Sequence, residues 1–497
     1  MIATEMPTPH QTSPWLQAPL RRAPGLAHGH VDGHAWLHNP WGHHALALVS
    51  PLAWRLWSAA DGRTLAELLA DWPDAPVPRL LAELPLLLRN GFLLTPNAPP
   101  APRPAVRPER VFNLWLHLTN ACNLACPYCY IHKSSEHMAG HVVRETLAAI
   151  AATAASGDID RIHVRFAGGE PMLRFAEMQA FHAEAVALCA RHGVRFTAAV
   201  LTNGTLVPDG AISWLQAENI AVSISIDGLE DVQDTMRPVK GGGPSFARLE
   251  AGLAQYLAAG IRPYMLVTVG DSNIDALPEL TSWLLARDLA FRFSLVRDLE
   301  WGQQTLDDRR GAVDPQPLAQ PPSLLLGPAL TRVQLRLAAA YDRIEQHLRA
   351  EHRAGRPPRT SFRQSHRFCD LELWRPITQA CGAGKSYLAI SERGAVSPCQ
   401  AALHREGTQP IRAASLLGQA TAQTQLQPFA RTAPNPECAR CQHKPSCAGG
   451  CPLLLYRREG HVDGRSPYCE VFRAVIPRML RLAALELVLQ RQAAQRR

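Results

Sequence analysis

The sequence predicts an α/β fold: a partial (β/α)6 barrel, preceded by a small helix-rich unit and followed by a loop-rich, cysteine-rich domain. Three observations carry this expectation. Strand-like and helical runs alternate between 111 and about 297, which implies a parallel sheet with right-handed crossovers. Eight of the twelve cysteines fall after position 368, in a stretch whose composition needs inorganic staples to fold. The length of 497 residues allows roughly three domains.

Composition excludes several classes. With 46% apolar and 19% charged residues the chain is globular, not disordered. No apolar run reaches the ~18 residues of a membrane span. The opening MIATEMPTPHQTSPW lacks the charged-then-apolar profile of a signal peptide, so a cytoplasmic location is expected. Without export no oxidising compartment pairs the thiols, and clustered cysteines then read as metal ligands.

The elements follow in order. Residues 1–27 have little periodicity and read as a tail. Residues 28–98 form a small unit: two short strands from His34 to Ser50 around the turn at Pro40–Gly42, then three helices, the last stopped at Asn90-Gly91. About 70 residues make a small core, so this unit should pack on something. Six prolines over 95–110 mark a stiff linker, taken as 99–110. The barrel, 111–300, has strands VFNLWLHLT, RIHVRFA, RFTAAVLT, IAVSISID, RPYMLVTV and AFRFSLV. Six units fall short of an eight-fold barrel, so the barrel should be open. A loop and one charged amphipathic helix fill 301–368, and the cysteine-rich domain occupies 369–475. Residues 476–497 read as a basic helix, a docking or solvated face rather than a nucleic-acid reader.

The first chemical constellation is Cys122-Asn-Leu-Ala-Cys126-Pro-Tyr-Cys129, just after the first barrel strand. Three thiolates on one loop can hold three irons of a cubane and leave the fourth open, and soft thiolate donors suit iron–sulfur centres. Zinc is the alternative reading of that spacing. The motifs Gly168-Gly169-Glu170-Pro171, Thr202-Asn203-Gly204 and Ser225-Ile226-Asp227-Gly228 follow, each after a strand, with Arg237 beyond. That rim is where barrel active sites lie.

In these four motifs and their order the chain resembles the radical S-adenosylmethionine (SAM) enzymes. The resemblance implies that Cys122, Cys126 and Cys129 bind a [4Fe–4S] cluster whose open iron takes the amino and carboxylate groups of SAM. Tyr128 matches the family's aromatic residue before the last cysteine. Gly168, Gly169 and Glu170 would meet the SAM amino group, Ser225 the ribose, Asn203 the nucleoside and Arg237 the carboxylate. One electron then splits SAM, and the deoxyadenosyl radical removes a substrate hydrogen.

A second set runs Cys381, Gly394, Cys399, then Cys438-x2-Cys441-x5-Cys447-x3-Cys451, then Cys469. It resembles the SPASM domain, with every element of that pattern present. By that analogy Cys438, Cys441, Cys447 and Cys469 hold an outer auxiliary [4Fe–4S] cluster. Cys381, Cys399 and Cys451 hold an inner one, with Cys369 as its fourth ligand. If Cys369 is free, that cluster keeps an open iron for a substrate donor. Two zinc knuckles are the alternative for the whole set. Cys189, on a barrel helix, reads as a plain buried thiol.

Residues 28–98 resemble the RiPP recognition element, a winged-helix-like domain that binds a leader peptide as an added strand. The resemblance rests on pattern, on Asp61-Gly62-Arg63-Thr64 and on Asn90-Gly91-Phe92-Leu93-Leu94. A DNA-binding winged helix is the rival, but VPRLLAELPLLLRN carries only two arginines. The whole is then a partial (β/α)6 radical SAM barrel with a C-terminal Fe–S SPASM domain and a small N-terminal winged-helix-like domain. Three clusters bring the formal charge of +8 down to about +3, which argues against nucleic acid and suits an acidic leader peptide.

Together these resemblances imply a peptide maturase that cross-links a ribosomally made precursor (C–C, C–S or C–O, such as a cyclophane or thioether). It would draw electrons from a flavodoxin or ferredoxin, with no nucleic-acid or membrane partner. The rival is the anaerobic sulfatase-maturating branch, which makes formylglycine. That branch has an aspartate base after the cysteine matching Cys399, where this chain has Gln400; Asp227, Glu392 and Asp298 remain as substitute bases. A non-catalytic iron–sulfur or zinc scaffold is the reading from another class, and it leaves the glycine-rich motifs without purpose. No residue is assigned as catalytic; Tyr264, His163, Arg165 and Arg297 lie on or near inward strand ends.

Overall fold

The structure is a computed structural model, and it describes residues 17–96, 109–131, 133–297, 327–356, 362, 366–403, 408–426, 435–459 and 462–496. Most of the linker, residues 301–326 of the bridging region and Asp298 lie outside the described residues.

The N-terminal unit holds β1 (Pro19–Arg22), β2 (Ala27–Val31), β3 (His34–His38), β4 (Leu46–Val49), α1 (Pro51–Ala59), β5 (Asp61–Thr64), α2 (Leu65–Ala70), α3 (Val77–Arg89) and β6 (Leu93–Leu94). Ser50 caps α1 by accepting from Ala53 N–H, and Thr64 with Glu67 forms a capping box on α2. Helix α3 ends at Asn90, and Gly91 follows at φ +59°, a left-handed stop that glycine adopts without steric cost. Strand β1 corrects the expected tail. It pairs with both β5 and β6 and buries Leu20 fully, a partnership too short and too non-local for periodicity to reveal.

Strand β3 is buried along almost its whole length because both faces of the β2–β3–β4 sheet are covered. Ala35 and Leu37 face α1–α3, while Trp36 joins the core shared with the rest of the chain. This is the two-residue period of a strand put to use on both sides.

The barrel runs β7 (Val111–Thr119), α4 (Gly140–Ala155), β8 (Arg161–Gly168), α5 (Phe175–Ala190), β9 (Arg195–Thr202), α6 (Ala211–Ala217), β10 (Ala221–Ser225), α7 (Glu230–Met236), α8 (Phe246–Ala258), β11 (Tyr264–Val269), α9 (Leu277–Ala286) and β12 (Phe291–Leu295). All six expected strands are present and parallel in sequence order. Two further strands extend the sheet beyond six. After α10 (Pro328–Arg353), β13 (His366–Phe368) adds in parallel beside β12, and β14 (Tyr387–Ile390) adds in parallel beside β7. Strands β15 (Ala395–Ser397) and β16 (Gln409–Pro410) continue antiparallel from β14. The cysteine-rich domain is therefore anchored through both edges of the barrel sheet.

Helix α11 (Cys469–Gln495) corrects the expected 476–497 boundary, and of the two expected faces, docking or solvated, it presents a docking one. It starts on a cysteine and buries thirteen residues, Val471 to Leu489, against α10 and the β2–β3–β4 sheet. Its basic residues lie between the buried positions, and Arg481 pairs with Glu345 of α10. The N-terminal unit is thus seated on the C-terminal helix, with Arg349 bidentate to Asp32 at 2.7 and 2.8 Å.

Candidate functional site

Cys122, Cys126 and Cys129 line one cavity of about 280 Å³ at the carboxyl ends of the barrel strands. Their loop cannot stand alone, and two neighbours hold it. Leu124 bridges to Val239, Ala125 N–H donates to Pro238 O at 2.8 Å, and Lys240 N–H donates to Asn123 O at 2.9 Å. From the other side Asn203 Nδ2 donates to Asn123 Oδ1 at 2.8 Å. Leu124, Cys126 and Val239 make a small apolar cluster beneath. Burial pushes the Cys126 thiol up to about 12 and also raises Cys122. At Cys129 burial works the same way, but Lys133 and hydrogen bonds from Ile131 N–H and Lys133 outweigh it, and that thiol sits low.

The glycine pair also has a packing job. Gly168 has φ +136°, and a Cβ there would lie 2.4 Å from Thr119 O; one on Gly169 would lie 2.0 Å from Ala121 O. Gly169 and Glu170 N–H groups donate to Thr119 and Ala121 carbonyls at 2.7 and 2.8 Å. The glycines thus let the β8 end lie directly against the chain entering the cysteine loop. Both glycines still line the cavity, but Glu170 does not. Its buried carboxylate accepts from Met172 N–H, Asn203 N–H and Thr202 Oγ1–H, so it ties β8 to β9. Burial raises its pKa against those three bonds.

Tyr128, Asn203, Ser225 and Arg237 also line the cavity. Sequence reasoning missed the hub beneath them. Asp227 is fully buried and accepts from the Tyr128 hydroxyl, from Arg237 Nε at 2.7 Å and from Thr268 N–H at 2.8 Å. Arg237 also stands over the Tyr128 ring, 5.5 Å from its centroid. With its carboxylate so committed, Asp227 is a fixed anion of the framework and is not free to act as a base. Glu392 is buried behind β7, bonded to Asn120 Nδ2 at 2.9 Å, and does not line the cavity.

The auxiliary thiols gather as two groups. Cys438, Cys441, Cys447 and Cys469 line a second cavity of about 360 Å³. Cys438 and Cys447 come from two single-turn helices at 436–439 and 444–447, Cys441 from the link between them, and Cys469 from the start of α11. Burial raises Cys447 to about 11. Around Arg297 the other group assembles. Arg297 donates to Cys369 Sγ at 3.3 Å and to both Asp370 oxygens at 2.8 and 3.0 Å. Cys451, pushed up to about 12 by burial, and Cys381 both feel Arg297, Asp370 and Cys399. Cys369 therefore stands with Cys381, Cys399 and Cys451, while Cys189 lies apart, buried on α5.

Among the described residues no three His, Cys, Asp or Glu groups converge closely enough for a single ion. Four thiols around one cavity suit a polynuclear centre better than a zinc ion, whose ligands close to ~2.0–2.3 Å of one point. Buried thiols with raised pKa values are also the groups that release protons when iron binds.

The barrel cavity extends to the edge of the inner thiol group, although none of Cys369, Cys381, Cys399 and Cys451 lines it. Gln400 and Ala401, just after Cys399, line the barrel cavity together with Cys129, Tyr130 and Arg297. The Tyr387 hydroxyl donates to Gln400 Oε1 at 2.6 Å. Of the inward candidates, Arg297 lines the cavity, whereas Tyr264 donates to Phe291 O and His163 bonds Thr197 deeper in the barrel.

Residues 116–284 match the sequence profile of the Radical SAM superfamily. An uncharacterised protein of Methanocaldococcus jannaschii is 30% identical over 178 residues, 35% of this chain and 58% of that one. A serine-type anaerobic sulfatase-maturating enzyme of Klebsiella aerogenes is 32% identical over 143 residues, 27% of this chain and 33% of the enzyme. These curated relatives are thus matched over roughly a third to a little over half of their length. Among solved structures, anSMEcpe with bound AdoMet superposes at a TM-score of 0.55 and 16% identity, covering 76% of this chain and 99% of its own. Streptococcus suis SuiB bound to precursor peptide SuiA superposes at 0.51 and 12% identity, covering 91% and 100%. The fold is shared with these two structures, and residues 116–284 are similar to the Radical SAM superfamily.

Proposed function

We propose that this chain is a radical SAM peptide maturase that installs an oxidative cross-link in a ribosomally made precursor. The observation that carries the reading is the barrel cavity: the three-thiol loop, the barrel rim and the residues after Cys399 all line it. A peptide seated there lies within reach of both a hydrogen-abstracting centre and an auxiliary electron acceptor. The SuiB structure holds a precursor peptide and spans 91% of this chain, which supports a peptide substrate.

Cys122, Cys126 and Cys129 would hold a cluster with one iron free of protein. Bound there, SAM and the cluster would supply a one-electron cleavage that yields a hydrogen-abstracting deoxyadenosyl radical. The chain's own groups do the rest. Gly168 and Gly169 shape the wall beside the cysteine loop, and Ser225 and Asn203 face the nucleoside. Arg237 uses only Nε on Asp227, which leaves its two terminal nitrogens for the SAM carboxylate. Cys369, Cys381, Cys399 and Cys451 would hold the inner cluster, nearest the chamber. Cys438, Cys441, Cys447 and Cys469 would hold the outer one, a relay to a flavodoxin- or ferredoxin-type donor. The N-terminal unit would bind the leader, since β2 and β4 each pair on one side only among the described residues.

Co-expression with a short precursor peptide, where one is encoded beside this chain, tests this. The expected product is two hydrogens lighter per event, with one deoxyadenosine formed, and fragments as a cross-linked unit. An unchanged precursor mass with reconstituted, reduced enzyme would contradict it. The sulfatase-maturating relatives favour a second reading, formylglycine formation, but Gln400 accepts from Tyr387 and has no proton-accepting capacity at neutral pH. A hydrazide-reactive aldehyde in place of a cross-link would select that second reading.

A further inference from the structure

The barrel cavity is built with four arginines near it, and they are not equivalent. Arg237 and Arg297 each carry their own counter-ion, the buried Asp227 at 2.7 Å and the partly exposed Asp370 at 2.8 Å. Among the described residues Arg165 on β8 and Arg292 on β12 have none. Arg165 makes one side-chain bond, Nη1 to the neutral Asn113 Oδ1 at 3.1 Å. Arg292 lines the cavity, and its Nε is fully buried without an acceptor. The indole N–H of Trp115, which pairs in register with Arg165 and also lines the cavity, is likewise buried without an acceptor.

Each of these groups is a donor, and two carry permanent charge. Their neighbours do not neutralise them. Burial holds Arg165 below its usual value; Tyr387 works the other way, and the charge of Arg292 adds to the lowering. His163, one step further down β8, is held neutral at about 4 by burial and by Arg165 and Arg161. A half-buried guanidinium without a counter-ion is costly, and elsewhere in this cavity the chain supplies carboxylates to offset that cost. Where it does not, an oxyanion from outside fits. A cation would be repelled there, and an apolar group would leave both charges without a counter-ion and Arg292 Nε and Trp115 Nε1 without an acceptor.

We propose that Arg165 and Arg292, with Trp115 Nε1, form a carboxylate-binding site on the barrel wall that holds an acidic group of the substrate. The assignment of the carboxylate to a peptide, as an Asp or Glu side chain or a C-terminus, rests on the function proposed above; the site itself rests on the unpaired donors.

The test is calorimetric titration of the SAM-loaded, cluster-reconstituted enzyme with acetyl-Gly-Glu-Gly-amide and acetyl-Gly-Gln-Gly-amide. The acidic peptide should bind about tenfold more tightly. That preference should fall to within about twofold in Arg165→Gln and in Arg292→Gln and survive in part in Arg165→Lys. Iron content and the SAM-induced change in the cluster's EPR signal should match wild type in all three, which separates this site from SAM binding and from misfolding. No preference in the wild type, or a preference kept in both Gln variants, would overturn the site. Tighter binding of inorganic phosphate than of either peptide would overturn its assignment to a carboxylate. Free glutarate binding as tightly as the Glu peptide, and lost in the Gln variants, would uphold the site while counting against a peptide substrate.

Discussion

The barrel site and the inner auxiliary site are variations on one arrangement, a buried Arg–Asp pair beside a group of thiols. In the barrel, Asp227 is fully buried and fixed from three directions, and its Arg237 partner leans on Tyr128 of the cysteine loop itself. At the inner site Asp370 answers mainly to Arg297, sits at φ +68° and is partly exposed. The three barrel thiols share eight residues of chain, whereas Cys369, Cys381, Cys399 and Cys451 arrive from four separate segments. The barrel loop is therefore fixed by one short segment and a fully buried hub, while the inner set depends on the fold to bring four distant segments together. On the function proposed above, the tighter framework would suit a cofactor site with one open coordination place and the looser one an auxiliary electron acceptor.

Breaking the two pairs should expose that difference. Asp227→Ala leaves a buried guanidinium uncompensated and should cost about 3–5 kcal/mol of stability. It should also remove the iron of the barrel loop alone, read by iron and sulfide analysis against wild type. Asp370→Asn at the more exposed pair should cost about 2 kcal/mol, between the values for exposed and buried pairs. Its iron content should hold, and any altered EPR signal should be an auxiliary one. Equal iron loss from both variants would erase the distinction.

A smaller effect concerns pH. His163 is depressed to about 4, first by burial and then by Arg165 and Arg161. The unfolded chain binds the proton near 6.5, so stability is full above that value and is lost as pH falls from about 6.5 towards 4. After allowance for partial exposure, His163 contributes on the order of 1–2 kcal/mol to that loss. His163→Gln should flatten denaturant midpoints over this window; an unchanged slope would show that His163 titrates normally. The smallest effect belongs to the seating of the N-terminal unit, where Arg349→Ala should cost about 0.5–1 kcal/mol because the Asp32 pair is half exposed.

What could be read from sequence follows the same division. The six barrel strands and the cysteine loop were legible because each signal is local: a period-two or period-3.6 run, or ligands within one turn of chain. Asp227 was visible as part of its motif, but its role depends on Tyr128 and Arg237, which the fold brings from either side. Arg292 gave no signal at all, since an arginine alternating with phenylalanines on a strand looks like any half-exposed position. Strands β1, β13 and β14 were missed because three- and four-residue strands have no period of their own and owe their existence to an edge supplied elsewhere. The C-terminal helix was left between a docking and a solvated face because its arginines are conspicuous in sequence, while the partners for its apolar stripe lie far away in the chain.

The most direct measurement is low-temperature EPR of the anaerobically purified, reduced protein with and without SAM, alongside iron and sulfide counts. The account predicts about twelve irons per chain, from three four-iron centres. SAM should shift one signal only, and Cys122→Ala/Cys126→Ala/Cys129→Ala should abolish that signal while leaving the other two. Zinc in the loop, or a reduced spectrum indifferent to SAM, would contradict it.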